Sequence, residues 1–84
     1  MKIEVRYFAL LREAVGTGSE TVELAGSAAT VASVREFLCR GNTHRAAFES
    51  VRRIRAAVNG EMAADDACIK DGDTVAFFPP VTGG

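Results

Sequence analysis

The sequence predicts an α+β fold, a mixed sheet of about five strands packed on one main helix with an extended C-terminal tail. Three features point there. Two short runs near the start, KIEVRYFA and ETVEL, alternate apolar and polar residues as half-buried strands do. An apolar stripe at helical spacing follows Thr30. Further strand-like runs then flank an Asn-Gly turn and close the chain.

The elements follow in order. In residues 2–9, Ile3, Val5 and Tyr7 fall on one face and Lys2, Glu4 and Arg6 on the other, which predicts a strand. ALLREAVG sets Leu10 with Ala14 and Leu11 with Val15 at i,i+4, so a short helix is expected, stopped by Gly16. GTGS turns the chain into a second strand, 20–24, expected to pair with the first. Thr30 is a natural N-cap for TVASVREFLCRG. There Val31, Val34 and Leu38, with Phe37 alongside, make the buried stripe, and Gly41 is expected to close the segment. HRAAFESV reads as another short helical piece and IRAAVNG as a strand entering a hairpin turn, since Asn59 and Gly60 both tolerate positive φ. EMAA is a short, weak partner strand. The DGD turn leads into the last strand, TVAFFP, where Pro79 has no N–H to continue a ladder.

Bulk properties narrow the function classes. Eighty-four residues make one domain, 1–84, and 48% apolar content suits a packed core rather than disorder. No membrane span or secretory signal is visible, so cytoplasmic residence is the expectation. Cys39 and Cys68 are far apart and read as small buried hydrophobes, and His44 as a surface histidine with no ligand partners nearby, so no metal site is expected. Two cysteines are also too few for an iron–sulfur cluster. Phosphate-cradling loops and nucleophile elbows are absent from the sequence. The net charge of −1 hides an asymmetry: residues 35–55 carry six arginines against two glutamates, and residues 61–84 are acidic. Without an aromatic platform or RNA-binding signature, that pattern fits solvated faces or steering of a protein partner better than nucleic acid.

Strand parity singles out two phenylalanines. Phe8 shares its face with Lys2, Glu4 and Arg6, the solvent side. Val75 and Phe77 hold the core parity of the last strand, which puts Phe78 on the opposite face. If the first and last strands are neighbours, Phe8 and Phe78 lie close together outside the core, Ala57 leaves the surface flat, and Met62 extends it. Periodicity alone does not decide which strands are neighbours. An exposed apolar patch of this kind predicts a docking surface; the competing reading is that short helices or loops cover the rings, or that a bulge shifts the parity.

The end of the chain, FFPPVTGG, is built for reach. Pro79 and Pro80 fix φ and favour an extended path, and the stretch to Gly84 spans roughly 15–17 Å at about 3.3–3.6 Å per residue. Val81 and Thr82 continue it, and Gly83 and Gly84 have no side chain to keep them from a narrow channel. The reactive group at that end is an α-carboxylate, ionised at neutral pH and a poor electrophile. Another protein would have to activate it, by joining it to AMP from ATP.

The segments VRYFALLREAVG, TVASVREFL, RAAVNG and, most specifically, DGDTVAFFPPVTGG resemble the small subunits of molybdopterin synthase, a family of bacterial-type sulfur carriers. The resemblance spans essentially the whole chain. It implies the ubiquitin-like β-grasp version of the fold, with the first and last strands parallel at the sheet centre. It also implies that an E1-like enzyme adenylates Gly84 using ATP, and that a sulfur-donating protein then converts the carboxylate to a thiocarboxylate. Two such chains would dock on a dimeric large subunit as a heterotetramer. Residues 79–84, among them Pro80, Val81, Thr82 and Gly83, would enter its active sites and give sulfur to cyclic pyranopterin monophosphate. Phe8, Met62 and Phe78 would contact the large subunit. No cofactor and no catalytic side chain is implied in this chain, which alone would be inert. Before the DGD turn, where relatives can carry proline, this chain has Ala67-Cys68-Ile69-Lys70. A carrier for thiamin or tRNA thiolation and a ubiquitin-like protein modifier are the alternatives.

Overall fold

The computed structural model describes residues 1–80. Its elements are β1 (Lys2–Tyr7), α1 (Ala9–Val15), β2 (Ser19–Glu23), β3 (Ala29–Thr30), α2 (Val31–Leu38), α3 (Asn42–Ser50), β4 (Arg55–Val58), β5 (Glu61–Ala63), β6 (Cys68–Ile69) and β7 (Thr74–Phe78). Five strands form one sheet in the order β2-β1-β7-β4-β5, in which only β1 and β7 run parallel. β3 and β6 pair as a separate two-stranded ribbon. At two residues each, they are too short to show an alternation in sequence, which is why periodicity misses them. No helix among the described residues is long and apolar enough to cross a membrane.

The parallel pair is fastened by its turns. The Lys2 N–H donates to Asp71 Oδ1 at 2.6 Å, the Gly72 N–H to the Lys2 carbonyl at 2.8 Å, and the Glu4 N–H to the Asp73 carbonyl at 3.0 Å. The DGD turn therefore sets the register in which Val5 faces Val75 and Tyr7 faces Phe77. Asn59 and Gly60 take φ of +51° and +87°, as a two-residue hairpin turn requires. Asn59 does more than turn: its side chain accepts from the Thr74 N–H at 3.0 Å and donates to Asp73 Oδ1 at 3.0 Å. That bond, with the Lys70 N–H on the other oxygen, holds the Asp73 carboxyl below its usual range.

At the other end of β1 the predicted strand stops early. Phe8 is still extended and its N–H reaches the Phe77 carbonyl at 3.2 Å. Ala9 then takes φ +54° and α1 begins, burying Leu11 and Val15 but leaving Leu10 and Ala14 outside. Thr30 caps α2 as expected, and Ser33 returns the bond to the Thr30 N–H at 2.9 Å, a reciprocal box. Gly41 does not close that helix, whose last residue is Leu38; it is instead the extended N-cap of α3.

The core lies between the sheet and the helices. Ile3, Val5, Tyr7, Leu11, Val31, Val34, Ile69, Val75 and Phe77 are all essentially inaccessible. Half-buried Phe48 of α3 stands edge-on to both Tyr7 and Phe77, with ring centroids at 6.4 and 5.4 Å, a favoured aromatic geometry. Burying Tyr7 obliges its hydroxyl to find a partner, and it donates to Glu20 Oε2 at 2.7 Å. His44 Nε2 meets the same oxygen at 2.6 Å. Burial and the Glu20 carboxylate together hold the Tyr7 phenol proton far above its usual range. Desolvation pushes Glu20 upward, yet the bonds from His44 and Tyr7 outweigh it and leave the carboxyl below its ordinary value.

Three expectations are corrected here. His44 is not a solitary surface residue, because α3 lays it against β2 and Glu20. Cys39 is half-buried at the end of α2. Cys68 is exposed because β6 turns its other residue, Ile69, into the core.

Two outcomes follow. Phe77→Ala should cost about 3–5 kcal/mol in denaturant unfolding, since it removes a ring packed on Phe48 and Tyr7's neighbours. Glu20 has a folded pKa below its unfolded one, so its contribution to stability is present above about pH 4.3 and fades as pH falls through the folded value. Acid titration of unfolding should therefore show a slope in that window that Glu20→Gln flattens.

Candidate functional site

The sheet register assembles the outer face from four strands. Arg6 of β1 lies opposite Ala76 of β7, Ala76 opposite Ala57 of β4, and Ala57 opposite Met62 of β5. One row further along, Phe8 follows Tyr7 just as Phe78 follows its partner Phe77, and Phe78 lies opposite Arg55. Two alanines thus make a flat centre, with phenylalanines on one side and a methionine on the other. Phe8 is 46% and Met62 60% exposed, while Phe78, Ala57 and Ala76 are half-buried.

Parity predicted this face, and the parallel pairing brings its members together. No bulge intervenes between Lys2 and Tyr7, and among the described residues neither α1 nor any loop closes over Phe8. Leu10, 64% exposed on α1, is a large apolar side chain that sequence reasoning missed. The spacing offered two i,i+4 pairs, Leu10 with Ala14 and Leu11 with Val15, and the one that packs is Leu11 and Val15. Helical spacing alone does not choose between the two pairs, and the chain enters α1 through Ala9 at φ +54°, which nothing in an alanine announces.

Charge rims the patch. Arg6 Nε holds Glu4 Oε2 at 3.0 Å on the same strand face. Arg55, exposed opposite Phe78, has no carboxylate within ion-pairing distance among the described residues. Such a surface has what binding requires: apolar area at the centre that can supply affinity, and at the edge Arg55, which can supply steering and orientation.

The patch borders the start of the tail. β7 ends at Phe78, and Pro79 and Pro80 follow, both half-buried. Val81, Thr82, Gly83 and Gly84, which the sequence marks as the reaching and reactive end, lie outside the described residues.

A five-stranded mixed sheet with its first and last strands parallel at the centre, packed on a helix, makes this a ubiquitin-like β-grasp protein. The chain belongs to the ThiS family, which it matches over residues 5–84. It is 40% identical to the molybdopterin synthase sulfur carrier subunit of Escherichia coli, over 98% of this chain and 99% of that one. Among solved structures, the small archaeal modifier protein 1 of Haloferax volcanii superposes with a TM-score of 0.80 at 32% identity, covering 95% of this chain and 98% of that one. A chain from the complex of subunits 1 and 2 of the molybdopterin-converting factor of Helicobacter pylori shares the fold, with a TM-score of 0.68 at 22% identity over the full length of both chains.

Phe78→Arg should leave the unfolding midpoint almost unchanged, because the ring is outside the core, while weakening capture by a partner protein at least about tenfold, as loss of a central aromatic anchor does. Circular dichroism and calorimetric titration read the two effects separately. A variant that unfolds would place Phe78 in the core.

Proposed function

We propose that the chain is the sulfur carrier subunit of a molybdopterin synthase, bearing sulfur as a thiocarboxylate at Gly84. The observation that carries this reading is the likeness, over nearly the full length of both chains, to a molybdopterin synthase sulfur carrier subunit. The exposed apolar face beside the root of the tail supports it, because a carrier must dock before it can deliver.

The chemistry follows from the end group. An E1-like enzyme joins the Gly84 carboxylate to AMP, and pyrophosphate leaves. A protein-bound persulfide then attacks the acyl carbon through its outer sulfur and expels AMP, and a second thiol reductively cleaves the S–S bond to the donor, leaving sulfur in place of one oxygen. Thiocarboxylate sulfur is the better nucleophile, and the closed channel of a large subunit keeps it from loss as sulfide. Two carriers on a dimeric large subunit would deliver the two dithiolene sulfurs of molybdopterin to cyclic pyranopterin monophosphate. Phe8, Phe78 and Met62 would seat this chain on the large subunit while Pro80, Val81, Thr82 and Gly83 lead Gly84 into the active site. Side-chain catalysis would come from the large subunit, and rate from positioning the tail.

A second reading is kept because a specific likeness favours it. The Haloferax relative is named a modifier, and an adenylated Gly84 could equally be attacked by a lysine amine to give an isopeptide.

Incubation with the host's activating enzyme, ATP and a sulfur donor decides between them. The expected product has the intact mass of sulfur replacing one oxygen, mapped to Gly84, and deletion of Gly84 abolishes it. Adducts on partner lysines would assign the modifier role. An unchanged mass would remove both readings.

A further inference from the structure

The two edges of the sheet differ in what they offer. β5 is three residues long, and the register of its hairpin directs only the Met62 peptide groups away from β4. β2 offers more. The Tyr7 N–H donates to the Gly18 carbonyl at 2.9 Å and the Leu24 N–H to the Met1 carbonyl at 2.7 Å. Residues in step with Gly18 and Leu24, namely Glu20 and Val22, therefore turn their peptide groups toward β1. Thr21 and Glu23 aim theirs at the open side, a strand edge with no neighbour among the described residues.

Beside this edge runs a trough between β2 and the end of α2. One stretch, of about 450 Å³, lies against Val22, Phe37, Leu38 and Arg40. A second, of about 300 Å³, continues past Leu24 and shares Phe37 and Arg40. The floor is apolar: Val22, Leu24 and Leu38 are buried and Phe37 is half-buried. Arg40 stands above it, its guanidinium 5.4 Å from the Phe37 ring centroid, with no carboxylate in ion-pairing distance among the described residues. The carboxylate on the trough side of β2, Glu20, is already held by His44 and Tyr7, and Glu23 sits on the opposite parity.

We propose that this edge and trough are a second docking site, taking an extended peptide segment of another protein. The segment pairs its backbone with Thr21 and Glu23, lays alternate apolar side chains on Phe37, Val22 and Leu24, and brings a carboxylate to Arg40. A second copy of this chain is the poorer occupant. Of the two carboxylates on its β2, Glu20 is engaged by His44 and Tyr7 and Glu23 has the outward parity, and two-fold pairing sets one Arg40 rim against another. The site faces the helix side of the sheet, so it can be filled while Phe8, Phe78 and Met62 are covered.

The test is an NMR titration of the full chain with a synthetic ten-residue peptide in which valines alternate with threonines and two aspartates follow. The expected result is shifted amides at Thr21, Glu23 and residues 37–41, with slowed exchange of the Thr21 and Glu23 amides. Arg40→Glu, at an exposed position, should weaken binding about fivefold or more, and a peptide with lysines for aspartates should do the same. Thr21→Pro, which removes an outward N–H, should abolish the shifts. No shifts at millimolar peptide would overturn the proposal, as would binding indifferent to Arg40→Glu. Shifts at the same amides on concentrating the protein alone would assign the edge to a second copy instead.

Discussion

The parallel pairing of β1 with β7 is the constraint on which both faces of the sheet depend. It brings the two ends of the chain together, and it decides two rows at once. Inward it sets Val5 on Val75 and Tyr7 on Phe77; outward it sets Arg6 on Ala76 and brings Phe8 alongside Phe78. A slip of one residue in β7 would exchange its rows, exposing Val75 and Phe77 and turning Ala76 and Phe78 inward. Joining strands so distant in sequence costs loop-closure entropy, and the structure offsets that locally. Asp71, Gly72 and Asp73 bond to the first residues of β1, and Asn59 ties the β4–β5 hairpin to the start of β7.

That arrangement separates stability from recognition. Folding is driven from the inner face, where Tyr7 and Phe77 each pack edge to face on Phe48 and the buried Tyr7 hydroxyl is met by Glu20. The outer face takes no part in the core, so its apolar side chains are available to a partner. Binding energy at such a surface comes from a few large side chains, and Phe8, Phe78 and Met62 are the candidates here. Pro79 and Pro80 follow directly from the strand that carries Phe78, so in the proposed function seating the patch would also fix where the tail begins.

Much of this was legible in the sequence, and the legible part has one cause. Alternation along a strand and spacing along a helix report which side of an element meets apolar surroundings, so the core parity of Ile3, Val5, Tyr7, Val75 and Phe77 could be read directly, as could the helix after Thr30 and the turn at Asn59-Gly60. The outward parity of Phe8 and Phe78 came from the same reading. The tail residues 81–84 lie outside the described residues, and their role in the proposed function rests on the likeness of DGDTVAFFPPVTGG to sulfur carriers.

What periodicity could not decide is which elements meet. The adjacency of β1 and β7 depends on contacts between residues some seventy positions apart, and no local pattern encodes them. The same limit hid the β3–β6 ribbon, whose strands are two residues each, and the exposure of Cys68, which depends on Ile69 turning inward. It hid the exposure of Leu10, which follows a left-handed Ala9. His44 looked solitary because Glu20 and Tyr7 are remote in sequence and only the packing of α3 brings them to one oxygen. The sequence by itself determined the longer elements and their buried faces, because those follow from local spacing. The tertiary structure alone decided the neighbours, because pairing energy is realised only when distant segments are held in register.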